Sequence, residues 1–288
     1  ERAYRRDLAV HVRYVASVAT YDPDRLRKHL PGEGVILLQG GGNFGDLSPD
    51  LQEFRERVVR DHPGHRIVQL PQSIHFRDPR RLRATVGAFG DHPGVVLLVR
   101  DAPGARQAGV DFASATVEFC PDGALGADLV VRRTRRRVDV GLLLRTDQER
   151  SSDHTLRFPG AITSAVHDWG LTGADRLAWK AMRTPSFCPG PNWLHAASFD
   201  GLARLNVRRA VEFLSSARVV ITDRLHATVM CALLGIPVVA LDNSYGKVSG
   251  IVTDYLHTVP GVHLARHDEE AATLAVEMLS SPSSVSVT

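Results

Sequence analysis

The sequence predicts an α/β protein made of two doubly wound domains, and three observations carry that expectation. Apolar runs of strand length recur along the chain: "GVILLQ" at 34–39, "HRIVQL" at 65–70, "GVVLLV" at 94–99, "TVEFC" at 116–120, "VDVGLLL" at 138–144, "ARVVIT" at 217–222 and "PVVALD" at 237–242. These runs are rich in Val, Ile and Leu and lack polar alternation, the mark of parallel strands covered on both faces. Helical patterns fall between several of them. The 288 residues suffice for two such domains, each of about 130–150 residues.

Taken in order, the first helix after a strand is "SPDLQEFRERVVR" at 48–60. Ser48 is placed as N-cap, Pro49 as first helical residue, and Leu51, Phe54, Val58 and Val59 share a face. The stretch "VVRRTRRRVDV" crowds Arg132, Arg133, Arg135, Arg136 and Arg137 between two apolar runs. It marks the expected boundary between an N-terminal domain at 1–135 and a C-terminal domain at 136–288. Such a cluster is ordinarily a solvated linker; its functional alternative is a basic surface for the phosphates of a lipid-linked acceptor or for an acidic membrane leaflet. Residues 171–200, with Trp179, Pro185, Pro189, Pro191 and Trp193, are expected as a long loop or insertion. "GLARLNVRRAVEFLSSA" at 201–217 spaces Leu202, Leu205, Val211 and Leu214 as a helix, "RLHATVMCALL" is a second ended by Gly235 and Pro237, and the acid-led "DEEAATLAVEMLSS" is the last.

Composition narrows the class. With 43% hydrophobic and 23% charged residues and no long apolar window, a water-soluble protein is expected. Of 35 basic residues 32 are arginine, so arginine abundance is a property of the whole chain, and the basic cluster lacks the interleaved aromatics of a nucleic-acid surface. Cys120, Cys188 and Cys231 are far apart and form no C-x-x-C pair, which argues against a disulfide framework or zinc site and for a reducing cytoplasm. No signal or transit pattern follows Glu1.

Ligands of open parallel sheets sit beyond the carboxyl ends of the strands. After the first strand comes "GGGNFGDL", where Gly41 and Gly42 permit close backbone approach and Asn43 and Asp46 offer polar atoms, either as a tight turn or as a ligand rim. Gln72, Ser73 and His75 follow the second strand, Arg100 and Asp101 the third, Asp122 the fourth. Each is equally at home in a capped turn; together they form a plausible cleft wall. In the second half Thr222 or Asp223 is expected to N-cap the helix, which puts Arg224 and His226 in its first turn. There the free amides and positive dipole end favour an anion, and a guanidinium adds a bidentate grip. "PVVALD" leads likewise into Asn243, Ser244 and Lys247, and "LLLR" ends in Arg145 with Glu149 behind it. Arg145, Arg224 and Lys247 on one edge suit a small, multiply charged anion.

"GGGNFGDL", "LPQSIHF", "VRD" at 99–101, "CPD" at 120–122 and "ITDRLHATVMCALLGIPVVALDNSYGKVSG" resemble, in order, the pattern of the polysaccharide pyruvyl transferase family, from about residue 34 to 255. The resemblance implies two Rossmann-like domains arranged as in B-type glycosyltransferases, phosphoenolpyruvate as donor, and transfer of a pyruvyl ketal to a sugar of a cell-surface polysaccharide or glycolipid. Arg224, Leu225 and His226 match the family's R-L-H motif, associated with donor binding and catalysis. Arg145, Ser244 and Lys247 are expected on the donor side; Gly41, Gly42, Asn43, Gln72, His75, Arg100 and Asp101 on the acceptor side. Here "APGAR" follows Arg100 and Asp101 where the family often carries a serine, and the unit before the first strand is abbreviated.

The donor agrees with the residues, since phosphoenolpyruvate carries a phosphate and a carboxylate. Ketal formation needs a proton at the methylene carbon, for which His226 is the candidate acid/base. Asp46, Asp101, Asp242 and Glu149 are the candidate assisting carboxylates. No metal and no cofactor beyond the donor is expected. The competing readings are a sugar-nucleotide glycosyltransferase of the same architecture, which would also need a base pocket, and a non-catalytic glycan-binding relative. A peripheral contact with the inner membrane surface is expected if the acceptor is lipid-linked.

Overall fold

The computed structural model describes residues 10–129, 137–145, 154–166, 170–188, 190–242 and 246–280. Arg132, Arg133, Arg135 and Arg136 of the basic cluster, together with Glu149, Asn243 and Ser244, lie outside the described residues. Two compact units form: Glu1–Gly126 with Leu177–Leu202, and Ala127–Arg176 with Ala203–Thr288.

The first unit holds β1 (Val35–Leu38), β2 (Gly41–Gly45), β3 (Arg66–His75), β4 (Val95–Val99) and β5 (Thr116–Phe119), every pairing parallel. The order is β1-β3-β4-β5, with β2 also against β3. β1 takes Arg66–Gln69 of β3 and β2 takes Gln72–His75, so the two short strands continue one path that breaks at Gly40. A Cβ on Gly40 would stand 2.4 Å from the Pro71 carbonyl oxygen.

Two expectations change here. "GGNFG" is strand rather than turn, because Phe44 is 1% exposed and packs edge-on against Phe89 and Phe112, at centroid distances of 5.4 and 6.1 Å. "PQSIH" is likewise the second half of β3 rather than a polar turn, with a register shift between Gln69 and Gln72 that accommodates Pro71. Helices α1 (Pro23–His29), α2 (Pro49–Asp61), α3 (Pro79–Gly90) and α4 (Ala102–Asp111) all begin with proline in the first or second position. The side chains of Asp22, Asp78 and Asp101 cap α1, α3 and α4. Proline has no amide to leave unsatisfied at a helix start, and the aspartates accept from amides that follow.

The second unit holds β6 (Val138–Leu143), β7 (Ser164–Val166), β8 (Ala217–Thr222), β9 (Val238–Leu241) and β10 (Val262–Ala265), ordered β10-β9-β8-β6-β7 and all parallel. Its core joins Val140, Val219, Ile221 and Val239 to Ala271 and Ala275 of the last helix. The small alanines let that helix lie close on the sheet. The remaining α-helices among the described residues are α5 (Gly173–Arg183), α6 (Asn192–Leu214), α7 (Leu225–Leu234), α8 (Lys247–Ile251) and α9 (Asp268–Ser280). Most of 171–200 is therefore helical, against the expected loop. Two of its prolines mark the junction of helices: Pro185 lies in a 3-10 turn at Thr184–Phe187 and Pro191 just before α6, where its carbonyl accepts from Leu194 and His195. The architecture is α/β with parallel, Rossmann-like sheets.

Candidate functional site

In the second unit Leu143 of β6 lies opposite Thr222 of β8, and Thr222 lies opposite Ala240 of β9. Arg145, Arg224 and Asp242 each follow their strand's member of that row by two residues. Adjacent strands stand about 4.8 Å apart, so the carboxyl ends of three neighbouring strands bring these positions to one edge of one sheet.

Local bonds fix the row. Thr222 Oγ1 donates to the Leu143 carbonyl at 2.7 Å and accepts from the Arg224 amide at 3.1 Å. Arg224 is itself the N-cap position of α7, extended at φ −102° and ψ 115°, with no side-chain cap bond. Neither Thr222 nor Asp223 caps the helix as the sequence suggested. Asp223 is fully buried, and its Oδ1 accepts from the Arg145 amide at 2.9 Å. It therefore ties the end of β6 to the turn that starts α7. Leu225 is buried at 7% exposure and anchors that turn, His226 is exposed, and Gly235 ends α7 at φ 63° as expected.

Lys247 opens α8 directly after Gly246, whose φ of 71° only glycine adopts at little cost. Asp242 Oδ1 accepts from the amides of Val248 at 3.2 Å and Ser249 at 3.3 Å. The Asp242 carboxylate thus has a capping role, which competes with use as a base. Lys247 is 8% exposed; a buried ammonium demands compensation by counter-charge or hydrogen bonds.

One further group belongs to this edge and has no counterpart in the sequence reading. His154 Nδ1 lies 2.7 Å from Asp268 Oδ1 and its Nε2 lies 3.4 Å from Asp223 Oδ2. The hydrogen bond to Asp223, opposed by burial and reinforced by Asp268, raises its pKa above the ordinary imidazole value. His154 stands 69 residues from Asp223 and 114 from Asp268, and no local pattern reports a contact so remote.

The first unit places its candidates differently. Asn43 Oδ1 accepts from Arg55 at 2.5 Å, and its carbonyl accepts from the same guanidinium at 3.1 Å. Burial pushes the Arg55 pKa down to about 10, which leaves it a cation at neutral pH. Asp46 Oδ2 accepts from the amides of Arg77 and Asp78, both at 2.7 Å, and so holds the segment between β3 and α3 to the end of β2. Its Oδ1 is buried with no hydrogen-bond partner. Gly41 pairs with Gln72 and Gly45 with His75. Gln72 is fully buried, and neither atom of its amide group has a partner. Arg100 does not pair with its neighbour Asp101. It is 2% exposed, donates to Asp122 Oδ2 at 2.5 Å and to Ser73 Oγ at 3.0 Å, and so joins the ends of β3, β4 and the β5 loop. Asp101 caps α4 through Gly104. Arg100 and Asp101 are thereby both engaged within the fold. Among the described residues no three His, Cys, Asp or Glu side chains gather as a metal would require, and no helix is long and apolar enough to cross a membrane.

The fold defines a Rossmann-like α/β protein whose second sheet gathers Arg145, Arg224 and Asp242 at the carboxyl ends of three neighbouring strands. The family model for polysaccharide pyruvyl transferase matches residues 5–245, and the chain belongs to that family. It is similar to Pyruvyl transferase 1 of Schizosaccharomyces pombe, 33% identical over 275 residues that cover 88% of this chain and 65% of that one. EpsO of Bacillus subtilis, provisionally named a pyruvyl transferase, is 30% identical over 271 residues, covering 90% of this chain and 81% of EpsO. A functionally uncharacterised protein from Klebsiella pneumoniae shares the fold at a TM-score of 0.57 and 18% identity, over 92% of this chain and 85% of its own.

Proposed function

We propose that the protein transfers pyruvate from phosphoenolpyruvate to a sugar of a polysaccharide or glycolipid precursor as a cyclic ketal, with release of phosphate. The observation that carries this reading is the register-aligned row in which Arg145 and Arg224 follow adjacent strands at the same level, beside the start of α7. A dianionic phosphate and a carboxylate, on one three-carbon molecule, need that density of positive charge. Lys247 and Ser244 complete the donor side in this reading, and Leu225 shapes it.

The exposed imidazole of His226 delivers a proton to the methylene carbon of the enol phosphate. This makes C2 electrophilic; one sugar hydroxyl adds there, phosphate departs with its bridging oxygen, and a second hydroxyl closes the ketal. Two hydroxyl protons are lost, one balancing the proton gained by the methyl group and one leaving with phosphate. A carboxylate accepts the hydroxyl protons, and Asp46 is our candidate. Gly41, Gly42, Asn43, Gln72 and His75 are the proposed acceptor-side residues of the first unit. No metal or further cofactor takes part in this scheme. A lipid-linked acceptor would bring the protein to the inner membrane surface from the cytoplasm.

The test is ligand-dependent thermal stabilisation with phosphoenolpyruvate against a panel of sugar nucleotides, followed by phosphate release in the presence of candidate acceptors. Stabilisation by phosphoenolpyruvate and acceptor-dependent phosphate release are expected. Stabilisation by a nucleotide alone would replace this reading with a glycosyltransferase, and acceptor binding without phosphate release would replace it with a glycan-binding relative.

A further inference from the structure

Outside the proposed donor contacts, the imidazole of His154 is held on both sides. It comes from the segment before β7, is buried with 6% of its side chain exposed, and stands between two carboxylates from different elements. Asp223 approaches from the turn between β8 and α7, Asp268 from the first turn of α9. Asp223 is wholly buried, and its other oxygen holds the Arg145 amide. Asp268 in turn accepts from the Thr155 amide, which pins the backbone beside His154. The chain of contacts Asp268–His154–Asp223–Arg145 thus ends on the residue that opens the cationic row, and Asp223 directly precedes Arg224.

A neutral imidazole has one N–H and can satisfy only one of these carboxylates; the other nitrogen would then set a lone pair against an anion. The imidazolium donates to both, and its charge offsets two partly or wholly buried anions that would otherwise be costly.

We propose that His154 is a positioning residue for the anion-binding edge: as an imidazolium bridging Asp223 and Asp268, it fixes Asp223 and through it the backbone of Arg145 and the start of Arg224. The inference rests on the proposed donor reading only for its kinetic consequence; the bridge itself is independent of which anion binds. The charged groups facing His154 are Asp223 and Asp268, and both favour its protonated form. The folded-state pKa is therefore raised. The bridge is complete below the ordinary imidazole pKa of about 6.5 and is lost as pH rises through the higher folded value. Grip on the donor should weaken over that window while the chemistry at His226 is left in place.

The experiment uses the full chain and His154→Gln, which keeps side-chain length and one amide donor but cannot carry charge. Histidine-labelled protein is titrated by NMR with the Arg145 backbone amide as reporter, and KM for phosphoenolpyruvate and kcat are measured from pH 6 to pH 9. Comparison at each pH cancels the ligand's own titration. The expected result is a His154 pKa above that of free histidine and an Arg145 amide that follows the same titration in the wild type only. KM should be raised about tenfold in His154→Gln at pH 6, the order expected for loss of one hydrogen bond to a charged group, converging with wild type at pH 9, with kcat within twofold throughout. Asp268→Asn, which keeps shape and removes one anion, should lower the His154 pKa. An Arg145 amide indifferent to His154, or a KM ratio independent of pH, would overturn the proposal. If phosphoenolpyruvate does not bind the wild type, the donor reading fails while the NMR titration still decides the bridge.

Discussion

Removing Asp122 should unfold the first unit at a markedly lower temperature, and the size of the effect follows from its surroundings. Arg100 and Asp122 are 2% and 7% exposed in their side chains and 2.5 Å apart. Deleting one partner of a buried pair leaves an uncompensated charge, at a cost of about 3–5 kcal/mol. Asp122 Oδ1 also accepts from the Ala124 amide at 2.8 Å, and loss of such a turn-capping bond costs about 1 kcal/mol more. At roughly 2–4 °C per kcal/mol for a unit of this size, Asp122→Ala should lower Tm by about 8–24 °C, read by circular dichroism. Asp122→Leu combined with Arg100→Met removes both charges and should recover most of the loss, because apolar replacement of a whole buried pair is often close to neutral. A single variant within 1 kcal/mol of wild type, or a double variant no better than the single, would refute the assignment of Arg100 to a structural pair.

Other perturbations address the proposed site and its supports. Arg224→Ala should raise KM for phosphoenolpyruvate by about 10- to 100-fold, the worth of one charge-assisted contact, as read by initial-rate kinetics. His226→Ala should lower kcat by about 10²- to 10⁴-fold with thermal stability unchanged, since the side chain is exposed. Gly45→Ala should yield little soluble protein, because its Cβ would lie 1.7 Å from the His75 carbonyl oxygen at a φ of 133°; yield on expression reports this directly. Pyruvyl transfer should proceed at the same rate in excess chelator, as measured by phosphate release.

Much of the fold was legible because parallel strands buried on both faces write themselves as short runs of Val, Ile and Leu. All seven such runs are strands. β7 escaped notice because Ser164–Val166 is three residues long and lies at the sheet edge. β2 escaped because glycines carry no strand preference, and only the burial of Phe44 reveals why that segment lies flat against β3. The helices of 171–200 were masked by prolines that in fact separate them. At the candidate site, Arg224 and His226 were visible because a strand end followed by an apolar helix fixes where the turn must fall. The partners of Arg100 and Asp223 were not, since a buried carboxylate chooses among residues that only the folded sheet brings within reach.

The equal two-residue step from Leu143 to Arg145 and from Thr222 to Arg224 makes the spacing of the two guanidinium-bearing residues a matter of strand pairing rather than of connecting-segment length. Insertions after Arg145 or beyond α7 can reshape what the protein selects without moving the two residues apart. One residue gained or lost inside β6 would instead turn Arg145 toward the opposite side of the sheet, so specificity is free to drift where charge placement is not.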